Sequence, residues 1–206
     1  MGEILKFPGE ATRLGYRRVR KRCRKAEDPN QLDLFLSAPT PIGSFERALS
    51  TFEQALAWDE SGDPKAIELY LKAINQQECV ADAYCNLGIL ESKHGNVSKA
   101  FDYFTQCLKN DPRHLEAHYN LANLYFEVND FRLAQVHYEL AAELDPAFPN
   151  IYFNLGLVQS INQDLDAAIA ALTRYQELAL PEDARNADEL LRNLRQSLAA
   201  RNDFRG

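Results

Sequence analysis

Apolar side chains recur along this chain at spacings of three and four residues, which place them on one face of an α-helix. Residues 81–114, 115–148 and 149–182 form three blocks of equal length that align with one another without a gap. The first half of each block places a leucine three residues after a ring side chain, and a glycine or alanine directly after the leucine. The three ring positions are Tyr84, His118 and Tyr152. This pattern predicts one helix for the first half of each block.

The second half of each block carries an alanine four residues before a bulky apolar side chain. These pairs are Ala100 with Phe104, Ala134 with Tyr138, and Ala168 with Leu172. Small and large side chains in alternation let the two helices of a hairpin interdigitate. Turn residues separate the halves, and a proline follows each second helix, where it disfavours continuation of the helix. The sequence therefore predicts helical hairpins that follow one another along the chain.

These features resemble the tetratricopeptide repeat (TPR), a helix-turn-helix unit of about 34 residues with the pattern W-x2-L-G-x2-Y, then A-x3-F, then P. The resemblance implies an all-α fold in which stacked helix pairs form an α-α superhelix, with the first helices lining a concave groove. It covers about residues 44 to 200. The predicted units are a degenerate repeat at 44–80, regular repeats at 81–114, 115–148 and 149–182, and a C-terminal capping helix at 183–202.

The groove is predicted from side chains that lie opposite the packing stripe of the first helices. Asn86, Asn120 and Asn154 recur at the repeat spacing, and each side-chain amide can donate and accept hydrogen bonds at once. Such a ladder suits an extended peptide backbone, and it resembles the ladder in the repeats of the glycosyltransferase that adds N-acetylglucosamine to serine and threonine. Alternatively, the amides satisfy neighbouring helix ends or water. The other predicted groove residues are Ile89, Tyr119, Asn123, Phe126, Phe153 and Leu157.

The charge of the predicted groove bears on the ligand it can hold. The chaperone-tail version of this fold clamps a terminal carboxylate with basic side chains on the first helices. This chain presents Asp82, Glu116 and Asn150 at the corresponding edge, and an acidic groove repels a carboxylate. The sequence therefore argues against a chaperone-tail ligand.

The charges of the chain are unevenly distributed. Residues 1–40 hold nine Lys and Arg against five Asp and Glu, whereas the remaining residues hold fourteen against twenty-five. We predict that residues 1–43 form a basic, flexible and disordered arm in front of acidic repeats. The segment 13–25 could contact nucleic acid, serve as a solvated linker, contact a ribosome or membrane surface, or fold back onto its own acidic repeats. The candidate phosphate contacts are Arg17, Arg18, Arg20, Lys21 and Arg22.

A short apolar motif follows the basic segment. Residues 31–35, QLDLF, resemble the motif by which many bacterial proteins bind the replication sliding clamp. Three apolar anchors in a flexible tail suit a preformed pocket. The alternative is that Leu32, Leu34 and Phe35 pack against the first repeat.

No catalytic or cofactor motif is visible in the sequence. HExxH, GxSxG, GxxxxGK[ST] and GxGxxG sequences are absent, and the four cysteines form no CxxC pair, so we predict no enzyme activity, no metal site and no cofactor. No secretory signal or membrane span is apparent, which favours a cytoplasmic location. We expect a non-catalytic scaffold that binds a protein or peptide partner in the groove. The alternative is a nucleic-acid- or replication-associated adaptor that uses the basic arm and the QLDLF segment.

Overall fold

The computed structural model describes residues 15–20 and 49–203. Within these ranges the chain forms helices and no strand, which confirms the predicted all-α superhelix. The helices pair into four consecutive hairpins, followed by a C-terminal segment. Their bounds are α1 Thr51–Glu60, α2 Lys65–Asn75, α3 Val80–Lys93, α4 Val97–Asn110, α5 Leu115–Glu127, α6 Phe131–Leu144, α7 Pro149–Ile161, α8 Leu165–Leu178, α9 Pro181–Ala184 and α10 Asp188–Asp203.

The turn inside each regular hairpin has the same backbone geometry. Gly95, Asn129 and Gln163 occupy the same position in successive repeats, and their φ angles are 77°, 63° and 65°. These values fall in the left-handed region, which glycine and asparagine adopt at low cost. The side chains of Asp130 and Asp164 then accept hydrogen bonds from the backbone N–H groups three residues later and cap the second helices. The local sequence thus fixes where each hairpin reverses.

Close approach of the two helices defines the hairpin interior. Gly88 on α3 faces the ring of Phe104 on α4, and a Cβ atom at Gly88 would lie 2.7 Å from that ring. Gly156 on α7 faces Leu172 on α8 in the same way, at 2.6 Å. Phe104 and Leu172 are fully buried. The glycines therefore provide the space that the bulky side chain of the second helix fills.

Stacking of the hairpins joins the first helices into one surface. Each second helix packs against the first helix of the next hairpin, and α3 also contacts α5 directly. The first hairpin belongs to the same stack, and its buried side chains Phe52 and Tyr70 join Leu87 of α3 in one cluster. This arrangement places α1, α3, α5 and α7 along a shared groove.

The C-terminal segment covers the exposed end of the stack. The sequence predicts one helix from residue 183, whereas the structure has the short helix α9, a 3-10 turn at Arg185–Ala187 and then α10. Ala187, Leu190, Leu191 and Leu194 are buried against α8. The outer face of α10 carries charged side chains, as the end of a repeat array requires. None of the helices in the described ranges has the length and apolar character needed to cross a membrane.

The contact between Gly88 and Phe104 generates a prediction about stability. Replacing Gly88 by leucine forces a side chain into space that the Phe104 ring fills, so we expect the free energy of unfolding to fall by roughly 2 kcal/mol or more. Urea unfolding followed by circular dichroism measures the change. Asp102→Leu, on the exposed face of α4, is the matched control, because substitutions at such surface positions usually change stability little. Equal effects of the two substitutions would contradict the packing role of Gly88.

Candidate functional site

Residues 15–20 of the chain, Gly-Tyr-Arg-Arg-Val-Arg, lie in the groove formed by the first helices; we call them the docked segment. The backbone groups of Arg17 and Val19 meet one wall of the groove. The side chains of the alternate residues contact other parts of the repeats; these residues are Tyr16, Arg18 and Arg20. Alternation of this kind is typical of an extended chain. The docked segment belongs to the region for which the sequence predicts a flexible arm, and its position agrees with the alternative in which this arm folds back onto the repeats.

Two of the three ladder asparagines hold the backbone of the docked segment. The Asn120 Oδ1 atom accepts from the Arg17 N–H at 2.7 Å, and Asn120 Nδ2 donates to the Arg17 carbonyl at 2.9 Å. Asn86 makes the same pair of bonds to Val19, at 2.9 Å and 3.2 Å. Both asparagine side chains are fully buried. Each amide therefore pairs with both backbone groups of one residue, and the two residues are two apart in the segment.

The third ladder residue has a different environment. Asn154 Nδ2 lies 3.3 Å from the Tyr119 hydroxyl and 3.3 Å from Asn123 Oδ1. Asn123 also accepts a hydrogen bond from the Tyr138 hydroxyl, and its Nδ2 atom is buried. Asn123 and Asn154 thus belong to a polar network between repeats, whereas Asn86 and Asn120 contact the docked segment.

The side chain of Val19 fills an apolar pocket. Only 2% of Val19 is exposed. It belongs to the buried cluster that contains Ile89, Phe104 and Leu121 from three successive helices of the stack. Burying a valine side chain contributes about 1.5 kcal/mol or more to stability. The pocket is therefore a second element of recognition beside the asparagine amides.

A charged network links the docked segment to the first hairpin. The Arg18 guanidinium lies 2.6 Å from Asp59 Oδ1, and the Tyr70 hydroxyl donates to Asp59 Oδ2 at 3.0 Å. Asn86 Nδ2 donates to the same hydroxyl at 3.2 Å. Burial raises the pKa of Asp59, and the positive charge of Arg18 offsets part of this rise. Arg18 therefore neutralises a carboxylate that the fold buries.

The other side chains of the docked segment also meet acidic groups. The Arg17 guanidinium lies 4.4 Å above the Phe148 ring, with Glu116 at 3.8 Å and Asp145 at 3.9 Å. Stacking of a guanidinium on an aromatic ring adds a favourable cation-π interaction.

At the two ends of the docked segment the contacts are more exposed. The Tyr16 hydroxyl donates to Glu127 at 2.8 Å and accepts from Ser92. Burial raises the pKa of the Tyr16 hydroxyl, so it stays protonated as a donor. Arg20 pairs with Glu60 at 3.5 Å at the exposed edge.

The remaining predicted groove residues occupy different environments. Ile89 contributes to the Val19 pocket, and Tyr119 is buried against the Phe148 ring at a centroid distance of 5.1 Å. Phe126 packs against Phe131 at the hairpin turn. Leu157 is 1% exposed and belongs to the interior of the last hairpin. Phe126 and Leu157 are thus used for packing.

A cavity of about 880 Å³ continues the groove beyond the docked segment. Phe153 lies on its wall and packs against Tyr175 at 5.0 Å between ring centroids. Asn154 and Tyr119 line this cavity, and Tyr119 packs against Phe148, the ring on which Arg17 stacks. The groove therefore extends across the last repeat towards α9.

Cys85, Cys107 and His114 bring their ligand atoms within 4.8 Å of one another beneath the groove. His114 Nδ1 accepts from the Ala117 N–H at 3.1 Å and so caps α5, while its Nε2 lies 3.0 Å from Asp82. Burial raises the pKa of the Cys85 thiol, which favours the protonated form. With both ring nitrogens of the histidine engaged, these side chains act as core and capping groups.

Three of the five basic residues predicted to contact phosphate, Arg17, Arg18 and Arg20, face acidic side chains of the repeats. Lys21, Arg22 and the QLDLF segment at 31–35 lie outside the described residues.

Sequence reasoning missed Asp59, Tyr70 and Phe148 as groove residues. The first helix of the first hairpin lacks the repeat signature that would have placed Asp59 in register. Tyr70 is in register with Phe104, but that position predicts only packing between helices, and Phe148 lies in a loop before α7. The excess of Asp and Glu over Lys and Arg in residues 41–206 is the sequence feature that indicates acidic groups in the groove.

Comparison with known proteins identifies the repeats. The model of a tetratricopeptide repeat family matches residues 85–127 and 119–187. A tetratricopeptide repeat protein 27 homolog of Dictyostelium discoideum is 28% identical over 123 residues, which are 56% of this chain and 14% of that protein. Tetratricopeptide repeat protein 8 of Mus musculus is 28% identical over 132 residues, 64% of this chain and 25% of that protein. The chain spans a quarter or less of the length of these relatives.

Solved structures show the same architecture. The first TPR domain of Spaghetti (RPAP3), bound to the HSP90 peptide SRMEEVD, is 27% identical, with a TM-score of 0.53 over 58% of this chain and 93% of that one. MamA is 21% identical, with a TM-score of 0.62 over 72% of this chain and 86% of that one, and shows the shared fold. The comparisons do not support the sliding-clamp resemblance of residues 31–35 or nucleic-acid binding. With its in-phase hairpins and a family match over half its length, the chain belongs to the tetratricopeptide repeat family.

Proposed function

We propose that this protein-interaction scaffold binds an extended, basic segment of a partner protein in the groove, with Asn86 and Asn120 pairing with the backbone of the bound segment. The supporting observation is the set of four hydrogen bonds, two from each side-chain amide, to the backbone of Arg17 and Val19. Backbone pairing of this kind provides affinity for any extended chain, and the surrounding side chains provide selectivity.

The charge of the groove supports a basic ligand. Asp59, Glu116 and Asp145 surround the two arginines of the docked segment. The related TPR domain of Spaghetti (RPAP3) holds the acidic peptide SRMEEVD. An acidic groove attracts the opposite kind of segment, because like charges placed together at an interface cost binding free energy. The proposed ligand therefore differs in charge from that peptide.

The proposed role is presentation of a bound segment without chemical turnover. The polar residues of the groove pair with backbone groups and with arginines, and Cys85, Cys107 and His114 beneath it are used in packing and capping. A cytoplasmic location and the absence of enzyme activity remain proposals from the sequence. The described arginines of the arm face carboxylates of the repeats, which argues against a nucleic-acid adaptor as a second function.

A peptide-binding experiment tests the proposed mode. The ligand is the fluorescein-labelled peptide Gly-Tyr-Arg-Arg-Val-Arg with blocked ends, a copy of the docked segment. The protein is the full chain with Val19→Asp, a change that keeps its own segment from filling the groove. We expect saturable binding by fluorescence anisotropy. Adding Asn86→Ala or Asn120→Ala should weaken binding about tenfold each, since each removes two hydrogen bonds that together contribute about 1–2 kcal/mol.

Asn154→Ala is the matched control for the two amide substitutions. Its side chain bonds to Tyr119 and Asn123, so the affinity for the six-residue peptide should change by less than about threefold. A second peptide with glutamate in place of the arginines at the Arg17 and Arg18 positions should not bind. Absence of binding to every variant, or equal losses from all three asparagine substitutions, would refute the proposed mode. Circular dichroism verifies that each variant remains helical.

A further inference from the structure

The docked segment occupies the same groove that the proposed function assigns to a partner. The backbone of Arg17 pairs with the side-chain amide of Asn120, and the backbone of Val19 pairs with the side-chain amide of Asn86. Val19 fills the apolar pocket, and Arg18 neutralises the buried Asp59. A partner segment bound in the same mode would need these same groups. The docked segment and a partner therefore cannot be bound there together.

The covalent connection between the docked segment and the repeats favours its binding. Residues 21–48 join Arg20 to Leu49, where the described chain resumes. A segment that is covalently joined to its own binding site has a high effective concentration there, commonly on the order of millimolar. A partner at micromolar concentration displaces the docked segment only if its higher affinity compensates for its lower concentration. Occupancy of the groove by the chain itself thus lowers the apparent affinity for any partner.

We infer that residues 16–20 are a built-in competitor of the groove, and that its ligands are extended basic segments with an arginine two residues before a small aliphatic residue. This inference rests on the proposed function and specifies the partner and the regulation of the same site. The arginine corresponds to Arg17, which stacks on Phe148, and the aliphatic residue corresponds to Val19. A larger side chain at the second position would have to displace buried side chains of the cluster that surrounds Val19.

The contacts of the segment indicate how its release can be tested. Val19→Asp places a carboxylate in an apolar pocket, and Arg18→Glu places one beside the buried Asp59. Both changes penalise docking, and both positions lie outside the helices of the described chain. Arg132→Glu is the matched control, because Arg132 is exposed on the second helix α6 and takes no part in docking. It changes the charge of the chain by as much as Arg18→Glu does.

The experiment compares binding of the labelled Gly-Tyr-Arg-Arg-Val-Arg peptide to the full chain and its variants. We expect the Val19→Asp and Arg18→Glu chains to bind the peptide at least tenfold more tightly than the wild-type chain. The Arg132→Glu chain should stay within about threefold of wild type. A tenfold difference corresponds to a groove that is open in about one molecule in ten. Peptides with the valine replaced by aspartate or by tryptophan should bind none of the chains.

Hydrogen exchange provides an independent measurement on the wild-type chain. The backbone amides of Arg17 and Val19 should exchange at least tenfold more slowly than in the Asn86→Ala/Asn120→Ala chain, because their N–H groups are bonded to Asn120 and Asn86. Rapid exchange of both amides in the wild-type chain would overturn the inference directly.

The possible outcomes separate the two proposals. Equal affinity of wild-type and Val19→Asp chains for the peptide would overturn the competitor and leave the proposed function intact. Absence of peptide binding to every chain would refute the proposed function itself. The wild-type and Val19→Asp chains could also differ in peptide affinity only at high protein concentration. That result would show that the segment docks into a second copy of the chain, and it would overturn the intramolecular competitor.

Discussion

A side-chain amide carries a donor and an acceptor in one plane, and this geometry matches the N–H and C=O groups of one residue in an extended chain. Asn86 and Asn120 use it in the same way, one repeat apart. The rest of the site depends on this pairing, because it fixes which residues of the docked segment face the apolar pocket and which face the acidic wall. The stack of hairpins serves to present the two amides in a constant orientation.

Much of the fold follows from local rules that the sequence displays. The recurrence of Gly88, Ala122 and Gly156 at the repeat spacing reflects the close approach of two helices, and the left-handed turns at Gly95 and Asn129 reflect backbone sterics. Both are short-range constraints, so a single sequence reveals them. The break between α9 and α10 was not predicted, because the apolar stripe from residue 187 onward is compatible with a helix that starts earlier.

The site could be predicted only in part, for a physical reason. Periodicity shows which face of a helix carries Asn86, Asn120 and Asn154, but it does not show what those side chains bond to. Asn154 bonds to a neighbouring repeat, whereas the other two bond to a segment that is distant in the sequence. Their positions opposite the packing stripe predict that Leu157 and Phe126 line the groove, yet both side chains pack within the hairpins. Long-range contacts of this kind leave no periodic signal.

The bidentate pairing also imposes a selection that has nothing to do with side-chain charge. Each asparagine requires an N–H group on the residue it holds, and proline has none. An incoming chain with proline at either of two alternate positions would leave the Oδ1 atom of Asn86 or Asn120 buried without a donor. Backbone chemistry alone therefore disfavours a tail with proline at either of these positions, however basic the tail is.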